Sequence, residues 1–418
     1  MNAEILCIGT ELLHGDITNT NARYISKELA KIGVDVHYQT VVGDNPKRMQ
    51  EALNLAFKRA DVIITTGGLG PTQDDITKNA VSDFFGVEMI YDEESKIHIE
   101  NCFKKFDKKM TENNMRQAYF PKGAKILDNK NGTANACIFN AKEVSPEKCS
   151  RDNNIVISLP GPPREMQPLV DEEVIPYLRK YSDFTVMSKK IVVFRLGESR
   201  AETLIMDLIE NQTNPTIAPY AGDGKVVFRV TAKAKTETEC HDLIDPVAEE
   251  LLRRFKGDSF ILENDDLQET IVKQLIEKNI SVSTAESLTG GMIASNIVGF
   301  SGVSKIFQKG YVTYSNQAKI EMLGVSKELI EKYGVVSEEV AKEMARCAAE
   351  KSGANIGVAT TGIAGPNGGT EEQPVGTFYV AAYRDGKYVS HYSTYGGLRD
   401  TIRIRATNNA FELIRKLI

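Results

Sequence analysis

The chain has 418 residues with 41% hydrophobic and 26% charged side chains, and its formal net charge is −6. This composition excludes a disordered chain, and the length predicts two to three domains. The negative charge argues against broad electrostatic binding to nucleic acid. No apolar run reaches the roughly 18 residues that a membrane span needs, and the N-terminus lacks signal-peptide features. We therefore expect a cytoplasmic protein that does not bind membranes.

Cysteine and histidine are sparse and scattered along the chain. The six cysteines and five histidines include no Cys-x-x-Cys pair, which argues against a zinc site. Any bound metal would therefore be a hard cation with oxygen ligands.

The first predicted domain, residues 1–175, alternates short apolar strands with amphipathic helices. The predicted strands are 4–10, 34–42, 61–66 and 155–159, and the predicted helices are 21–32 and 46–59. This alternation predicts an α/β fold in which a parallel sheet lies between layers of helices. Ligands bind such a sheet at the carboxyl ends of its strands.

Polar and glycine-rich residues follow three of these strands, at the edge where a ligand would bind. They are Glu11, Asn21, Gly67, Gly68, Gly70, Asp74, Asp75 and Glu165. Glycine N–H groups can bind a phosphate, and the carboxylates can hold a divalent cation. Asp74, Asp75 and Glu165 could instead serve only as charges at helix N-termini.

These residues, with the Pro160–Met166 turn, resemble the molybdopterin-binding domain of molybdenum-cofactor enzymes, in the version that begins CinA-family proteins. The resemblance implies binding of a pterin or a nucleotide diphosphate. In the CinA family it implies metal-dependent hydrolysis of ADP-ribose to AMP and ribose 5-phosphate. It makes Glu11, Asp74, Asp75 and Glu165 candidate ligands of Mg²⁺, Mn²⁺ or Co²⁺, or the base, with individual roles unassigned. The three glycines and Asn21 would contact the substrate.

The middle region, residues 176–262, is predicted to be a small α+β domain. Strands at 189–196, 216–220 and 226–234 and helices at 198–210 and 238–255 surround a turn at 222–224. No convergent catalytic set is visible. The CinA resemblance places a KH-like linking domain here, but KH modules clamp RNA with a glycine-rich loop, and no convincing one is present. We favour a linking or dimerisation role over RNA binding.

The last predicted domain, residues 263–418, contains the segment Thr284–Gly291 between a strand at 280–283 and a helix at 292–298. Ser287 is thus predicted at a strand-to-helix junction, beside free N–H groups and the positive end of the helix dipole. This environment suits an anion or an oxyanion. The alternative is that Ser287 or Thr289 only caps the helix.

Two further strand ends and the last helix are predicted to bring polar residues to the same edge. They are Tyr314, Lys319, Thr361, Gly362 and Arg399. Because no histidine or cysteine lies nearby, neutral Lys319 would have to take the serine proton. Free lysine is neutral in only about one molecule in 2,500 at pH 7, so burial, helped by Arg399, would have to lower its pKa to roughly 7 to 8. The alternative is a solvated helix-face cation.

Five segments of this domain resemble the nicotinamide mononucleotide deamidase domain that ends CinA-family proteins: 284–291, 310–319, 360–366, 374–377 and 396–400. The resemblance implies hydrolysis of nicotinamide mononucleotide to nicotinate mononucleotide and ammonia, without a cofactor. It makes Ser287 the nucleophile and Lys319 the base, with Ser304 as a proton shuttle or itself the nucleophile. Further implied roles are substrate positioning or proton transfer for Tyr314 and Thr361, an oxyanion hole near Gly290, Gly291 and Gly362, and phosphate binding for Arg399.

We therefore predict a bifunctional enzyme of pyridine-nucleotide salvage, acting on nicotinamide mononucleotide and ADP-ribose. The alternative is a non-catalytic nucleotide- or pterin-binding protein that acts in competence or the DNA-damage response. A homodimer is expected from base rates and from the family resemblance. The deamidase hypothesis requires that Ser287 and Lys319 lie close together.

Overall fold

The computed structural model describes residues 1–105, 107, 109–149, 154–182, 184–222, 224–263 and 266–418. Asp223, in the predicted turn at 222–224, lies outside the described residues. The chain divides into two compact units, one of Met1–Met187 with Ala232–Asp242 and one of Ser188–Thr231 with Leu243–Ile418. In the described part of the chain, none of the helices has the length and apolar character needed to cross a membrane.

The first unit is built on a six-stranded sheet. Its region of the chain contains strands β1 (Asn2–Ile8), β2 (Asp35–Val42), β3 (Val62–Thr66), β4 (Met89–Tyr91), β5 (Tyr119–Pro121), β6 (Lys125–Leu127), β7 (Ala136–Asn140) and β8 (Ile155–Leu159). The helices are α1 (Thr10–His14), α2 (Thr20–Lys31), α3 (Pro46–Arg59), α4 (Thr77–Phe85), α5 (Glu93–Lys105), α6 (Ala141–Val144), α7 (Pro163–Leu169) and α8 (Ile175–Arg179), with shorter helical turns at Glu112–Ala118, Pro146–Lys148 and Val170–Val174.

The sheet order is β2-β1-β3-β8-β7-β6. Strands β2, β1, β3 and β8 are parallel to one another, whereas β7 pairs antiparallel with both of its neighbours, β8 and β6. Successive residues of a strand point to opposite faces, and in β1 Ile5 packs in a core that includes residues of α2 and α7, while Leu6 packs in a core that includes residues of α3 and α4. The predicted arrangement of a sheet between two helical layers is therefore confirmed.

The middle of the chain forms a small α+β element around a four-stranded sheet. Its strands are β9 (Thr185–Phe194), β10 (Thr216–Gly222), β11 (Lys225–Ala234) and β12 (Ser259–Leu262), and its helices are α9 (Glu198–Thr203), α10 (Met206–Glu210) and α11 (Glu237–Arg254). The sheet order is β10-β11-β9-β12. The predicted hairpin corresponds to the antiparallel pair β10 and β11.

The C-terminal region contains a five-stranded sheet. Its strands are β13 (Val282–Glu286), β14 (Phe307–Val312), β15 (Ile356–Gly362), β16 (Thr377–Arg384) and β17 (Lys387–Thr394). The helices are α12 (Leu267–Glu277), α13 (Met292–Val298), α14 (Asn316–Ala318), α15 (Lys327–Tyr333), α16 (Glu338–Ser352) and α17 (Arg399–Arg415), with a 3₁₀ turn at Val303–Lys305 and a π-helical turn at Lys319–Leu323.

The order of this sheet is β14-β13-β15-β16-β17. Strands β14, β13 and β15 are parallel to one another, whereas β16 pairs antiparallel with both of its neighbours, β15 and β17. Ala285 of β13 and Ala359 of β15 pack in a core that includes α16, and Val282 and Val358 pack in a core that includes α12 and α17. Helices thus cover both faces, as the predicted α/β class requires.

Strand β13 differs from its predicted position. The sequence predicted a strand at 280–283 followed by a loop, but β13 continues to Glu286. Its backbone pairs with β14 and β15 up to that residue, and Ser283, Thr284 and Glu286 are fully buried. Polar composition made these residues look like a loop, whereas pairing with β14 and β15 makes them the end of an inner strand.

Candidate active site

Ser287 lies immediately after β13, in the turn that leads to α13. Its N–H donates to the carbonyl of Thr360 in β15 at 3.1 Å, and its own carbonyl accepts from Gly290 N–H at 3.1 Å. Its side chain lies 3.2 Å from Lys319, measured from Oγ to Nζ, and the residue is 8% exposed. The end of β13 therefore places a nearly buried hydroxyl beside an amine.

Lys319 begins the π-helical turn after α14 and is 1% exposed. Its Nζ donates to the carbonyl of Thr313 at 2.8 Å and lies against Ser287 Oγ. Burial lowers the pKa of Lys319 from 10.5 to about 8, and none of the described carboxylates forms an ion pair with it. About one molecule in ten would then carry the neutral amine at pH 7, so Lys319 can act as a proton acceptor.

Arg399 and Tyr314 form a pair near the surface of the same region. The guanidinium of Arg399 donates to the Tyr314 hydroxyl at 3.1 Å and to the carbonyl of Gly365 at 2.5 Å. Tyr314 is 63% exposed. The predicted effect of Arg399 on the pKa of Lys319 has no support, because burial is the cause of that shift.

Thr361 is buried at the end of β15, and its hydroxyl donates to the carbonyl of Val335 at 2.8 Å. The preceding Thr360 instead meets the Ser287 turn, where its Oγ1 lies 2.8 Å from Oγ1 of Thr289. Gly362 ends the strand, and a Cβ there would lie 2.5 Å from the Cβ of Phe378. Close packing of β15 against β16 thus explains why a residue without a side chain occupies position 362. Catalytic roles for Thr361 and Gly362 stay predictions.

The N-terminus of α13 is occupied by a side chain that the sequence analysis did not single out. The buried carboxylate of Glu286 accepts N–H hydrogen bonds from Gly291 and Ile293 at 3.0 Å each and from Ala294 at 2.9 Å. This arrangement corrects the expectation of free N–H groups at the helix start. Neither Ser287 nor Thr289 caps the helix with its side chain.

Hydrogen bonds within the protein also engage the N–H groups of Gly290 and Gly291, which were predicted to form the oxyanion hole. Gly290 N–H donates to Ser287 and Gly291 N–H to Glu286, so both groups are already hydrogen-bonded. Within the described part of the chain, the N–H groups of Leu288 and Thr289 have no hydrogen-bond acceptor. These two amides, rather than those of Gly290 and Gly291, are the uncommitted donors next to Ser287.

Ser304 does not lie with this group. It sits in the turn Val303–Lys305 before β14, and β14 runs parallel to β13 with Phe307 opposite Val282 and Val312 opposite Glu286. Ser304 therefore precedes the amino end of β14, whereas Ser287 follows the carboxyl end of β13, and the strand from Val282 to Ser287 spans about 16 Å. Within one chain, Ser304 cannot exchange a proton with Lys319 directly.

In the first unit, all four predicted acids line one cavity of about 400 Å³. The predicted glycines line the same cavity, whose relevant residues are Glu11, Gly67, Gly68, Gly70, Asp74, Asp75 and Glu165. Asn21 lines a second cavity of about 310 Å³, which shares Glu11 and the turn after β8 with the first. The ends of β1, β3 and β8 thus converge as the parallel-sheet rule predicts.

Two of these acids have partners within the protein. Asp75 accepts hydrogen bonds from the N–H and the hydroxyl of Thr72 at 2.8 and 2.7 Å. Glu165 accepts from Nδ2 of Asn129 at 2.8 Å; Asn129 is a fully buried residue that the sequence analysis missed because it lies 36 positions away.

The four acids do not form a complete set of metal ligands on their own. Among the described residues no three acidic, histidine or cysteine side chains form a ready metal site. Magnesium, however, is usually held by one or two carboxylates together with substrate phosphates. The cavity therefore offers oxygen donors of the type that a hard divalent ion takes, but a ligand would have to complete the coordination.

Comparisons with known proteins cover the chain from end to end. Residues 4–180 match the probable molybdopterin-binding domain, 188–260 the KH domain of damage-inducible protein CinA, and 264–418 the CinA C-terminal domain. A competence-damage inducible protein of Clostridium acetobutylicum is 46% identical over 418 residues, covering 100% of this chain and 99% of the relative. One from Clostridium kluyveri is 48% identical over 420 residues, covering 100% of both.

The chain belongs to the CinA family.

A solved structure also resembles part of the chain. The competence/damage inducible protein CihA from Agrobacterium tumefaciens is 40% identical, covering 36% of this chain and 93% of that one, with a TM-score of 0.36. The family resemblance seen in the sequence motifs is confirmed by the matches to the CinA domains and by the relatives that align over the whole chain.

Proposed function

We propose that the C-terminal domain hydrolyses the carboxamide of nicotinamide mononucleotide to give nicotinate mononucleotide and ammonia. The observation that carries this proposal is the contact between Lys319 Nζ and Ser287 Oγ at 3.2 Å in a buried site. A lysine with a pKa near 8 is a workable base at neutral pH.

The proposed reaction has two halves. Ser287 Oγ attacks the carboxamide carbon while its proton passes to neutral Lys319, and the resulting oxyanion is held by the N–H groups of Leu288 and Thr289. The Lys319 ammonium then gives its proton to the amino group as the C–N bond breaks, so that ammonia leaves and a serine ester remains. Water, deprotonated by Lys319, attacks the ester; nicotinate mononucleotide leaves and Ser287 regains its proton.

The substrate phosphate is assigned to Arg399. The start of α13 is neutralised by Glu286, so a phosphate would meet a carboxylate there. Arg399 lies at the exposed start of α17 beside Tyr314, and a guanidinium fork matches phosphate oxygens.

The direct test incubates the protein with nicotinamide mononucleotide and measures ammonia and nicotinate mononucleotide together. Equal amounts of both products, lost in Ser287→Ala, would support the proposal. Binding of the nucleotide without turnover would instead favour the non-catalytic binding protein.

We also propose that the first domain hydrolyses ADP-ribose to AMP and ribose 5-phosphate with a divalent ion. The supporting observation is the cavity lined by the four predicted acids and by Gly67, Gly68 and Gly70. Bound there, the ion would neutralise the diphosphate and lower the pKa of an attacking water. Glu11, Asp74, Asp75 and Glu165 supply the oxygen donors, and Asn129 fixes the orientation of Glu165. AMP release that persists in excess chelator would refute the metal requirement.

A further inference from the structure

Arg403 reaches from α17 to the main chain of the Ser287 turn. Its Nε donates to the carbonyl of Leu288 at 3.2 Å, and its Nη2 donates to the carbonyl of Thr289 at 3.0 Å. The third nitrogen, Nη1, donates to Asp400 at 3.1 Å. All three nitrogens of the guanidinium are therefore engaged, two of them by consecutive peptide groups of the turn.

The second of these peptide groups links Arg403 to the nucleophile. The carbonyl and the following N–H of a trans peptide point in opposite directions. The carbonyl of Thr289 faces Arg403, and Gly290 N–H of the same peptide donates to the carbonyl of Ser287 at 3.1 Å. Arg403 thus acts on Ser287 through a single rigid unit.

The turn needs such an external support. Gly290 and Gly291 adopt φ values of 60° and 95°, in the region where glycine is favoured and the backbone has the most freedom to lose. Glu286 anchors the turn on the α13 side, and Arg403 anchors it from α17. Ser287 lies between these two anchors.

We propose that Arg403 is a positioning residue that holds the Ser287 hydroxyl within reach of Lys319. This inference rests on the proposed amidase function. Holding the carbonyl of Leu288 also turns the N–H of Thr289 away from Arg403, so the same contact orients an oxyanion donor. Arg403 does not touch the reacting atoms, and Asp400 offsets its charge. Its loss should lower kcat and leave KM nearly unchanged.

The test compares Arg403→Lys with Arg405→Lys. Arg405 is on the same helix, but its guanidinium stacks on Tyr395 at 4.2 Å from the ring centroid. Lysine keeps the charge and loses the two-pronged donor geometry. We expect kcat for nicotinamide mononucleotide to fall roughly 10- to 100-fold in Arg403→Lys, with KM within about threefold, and both parameters to stay within about twofold in Arg405→Lys.

A second measurement does not depend on the substrate. The rate at which a fluorophosphonate labels Ser287, followed by mass spectrometry, should fall about tenfold in Arg403→Lys and stay unchanged in Arg405→Lys. Guanidinium ion added to Arg403→Ala should restore labelling. Labelling of Ser287 in the parent without hydrolysis of nicotinamide mononucleotide would refute only the proposed substrate.

Three results would overturn the role of Arg403. One is labelling and turnover in Arg403→Lys at the parent rates. Another is a rise in KM with unchanged kcat, which would indicate substrate binding. The third is an equal loss in both lysine variants, which would indicate a general effect on α17.

Discussion

The Nζ of Lys319 lies 3.2 Å from the Oγ of Ser287, although 32 residues separate them in the chain and they follow different strands. The amine is buried and has no ion-pair partner among the described residues. A buried, unpaired lysine destabilises a folded protein when it is charged. The position of Lys319 should therefore affect both the reactivity of Ser287 and the stability of the protein.

Removing either member of the pair should abolish amidase activity. In Ser287→Ala the nucleophile is missing, and in Lys319→Met the proton acceptor is missing, so kcat should fall by roughly 10²- to 10⁴-fold or more. Ammonia release under saturating nicotinamide mononucleotide measures the effect. Ser304→Ala should retain activity within about twofold, since Ser304 lies at the opposite end of the strands; a comparable loss there would show that a second copy of the chain supplies this serine.

The pH dependence should report the neutral form of Lys319. Because the pKa of Lys319 is lowered to about 8, kcat/KM should rise with pH and level off above pH 9. At pH 6 it should be about one-hundredth of the plateau. A profile that is flat between pH 6 and 9 would contradict a lysine base.

Lys319→Met should stabilise the protein while inactivating it. The pKa is below the value of 10.5 that lysine has when unfolded, so between pH 8 and 10.5 the unfolded chain binds more protons and the free energy of unfolding rises with pH. At pH 7 the variant should be more stable by up to about 3 kcal/mol, and the difference should disappear near pH 10.5. Thermal unfolding measures this, with the exposed Lys327→Met as control.

Loss of the Glu286 carboxylate should destabilise the C-terminal domain. In Glu286→Ala three N–H groups lose their acceptor, which should cost roughly 3 kcal/mol. Acetate should raise the melting temperature of Glu286→Ala and leave that of the parent unchanged, because only the variant has an empty carboxylate position. Equal effects of acetate on both proteins would count against this role.

Arg399→Ala should weaken recognition of the substrate phosphate. We expect KM for nicotinamide mononucleotide to rise about tenfold or more. Nicotinamide riboside, which lacks the phosphate, provides the internal control: parent and variant should hydrolyse it with similar kcat/KM. If the variant loses activity equally on both substrates, Arg399 supports the site through Tyr314 and Gly365 instead.

The two proposed activities should separate by mutation. Asp74→Asn and Glu165→Gln should reduce ADP-ribose hydrolysis about 100-fold and leave amidase activity intact, and Ser287→Ala should do the reverse. The matched control is Glu88→Gln, which removes an exposed partner of Lys122. Unchanged AMP release in both cavity variants would remove the assignment of this site.

Sequence patterns predict the fold class because strand and helix periods are local properties. They also predict the convergence of Glu11, Asp74 and Glu165, since parallel strands end at one edge of a sheet. Ser287 could be located for the same reason. The burial of Lys319 could not, because it depends on packing between segments that are distant in the chain.

Two other differences between the sequence analysis and the structure have the same origin. Glu286 was not singled out because a carboxylate beside a glycine-rich turn looks like a surface residue, and only the fold shows that it meets three N–H groups. Ser304 precedes β14 and Lys319 follows it. Ser304 and Lys319 are therefore close in sequence but lie at opposite ends of β14.

The hydrogen bonds that Glu286 makes to α13 limit which inhibitors can succeed. A compound designed to place an acidic group at that helix start would compete with a carboxylate that is already covalently part of the protein and would be repelled by it. Electrophilic carboxamide mimics directed at Ser287, with their negative group extended toward Arg399, are the better starting point for medicinal chemistry.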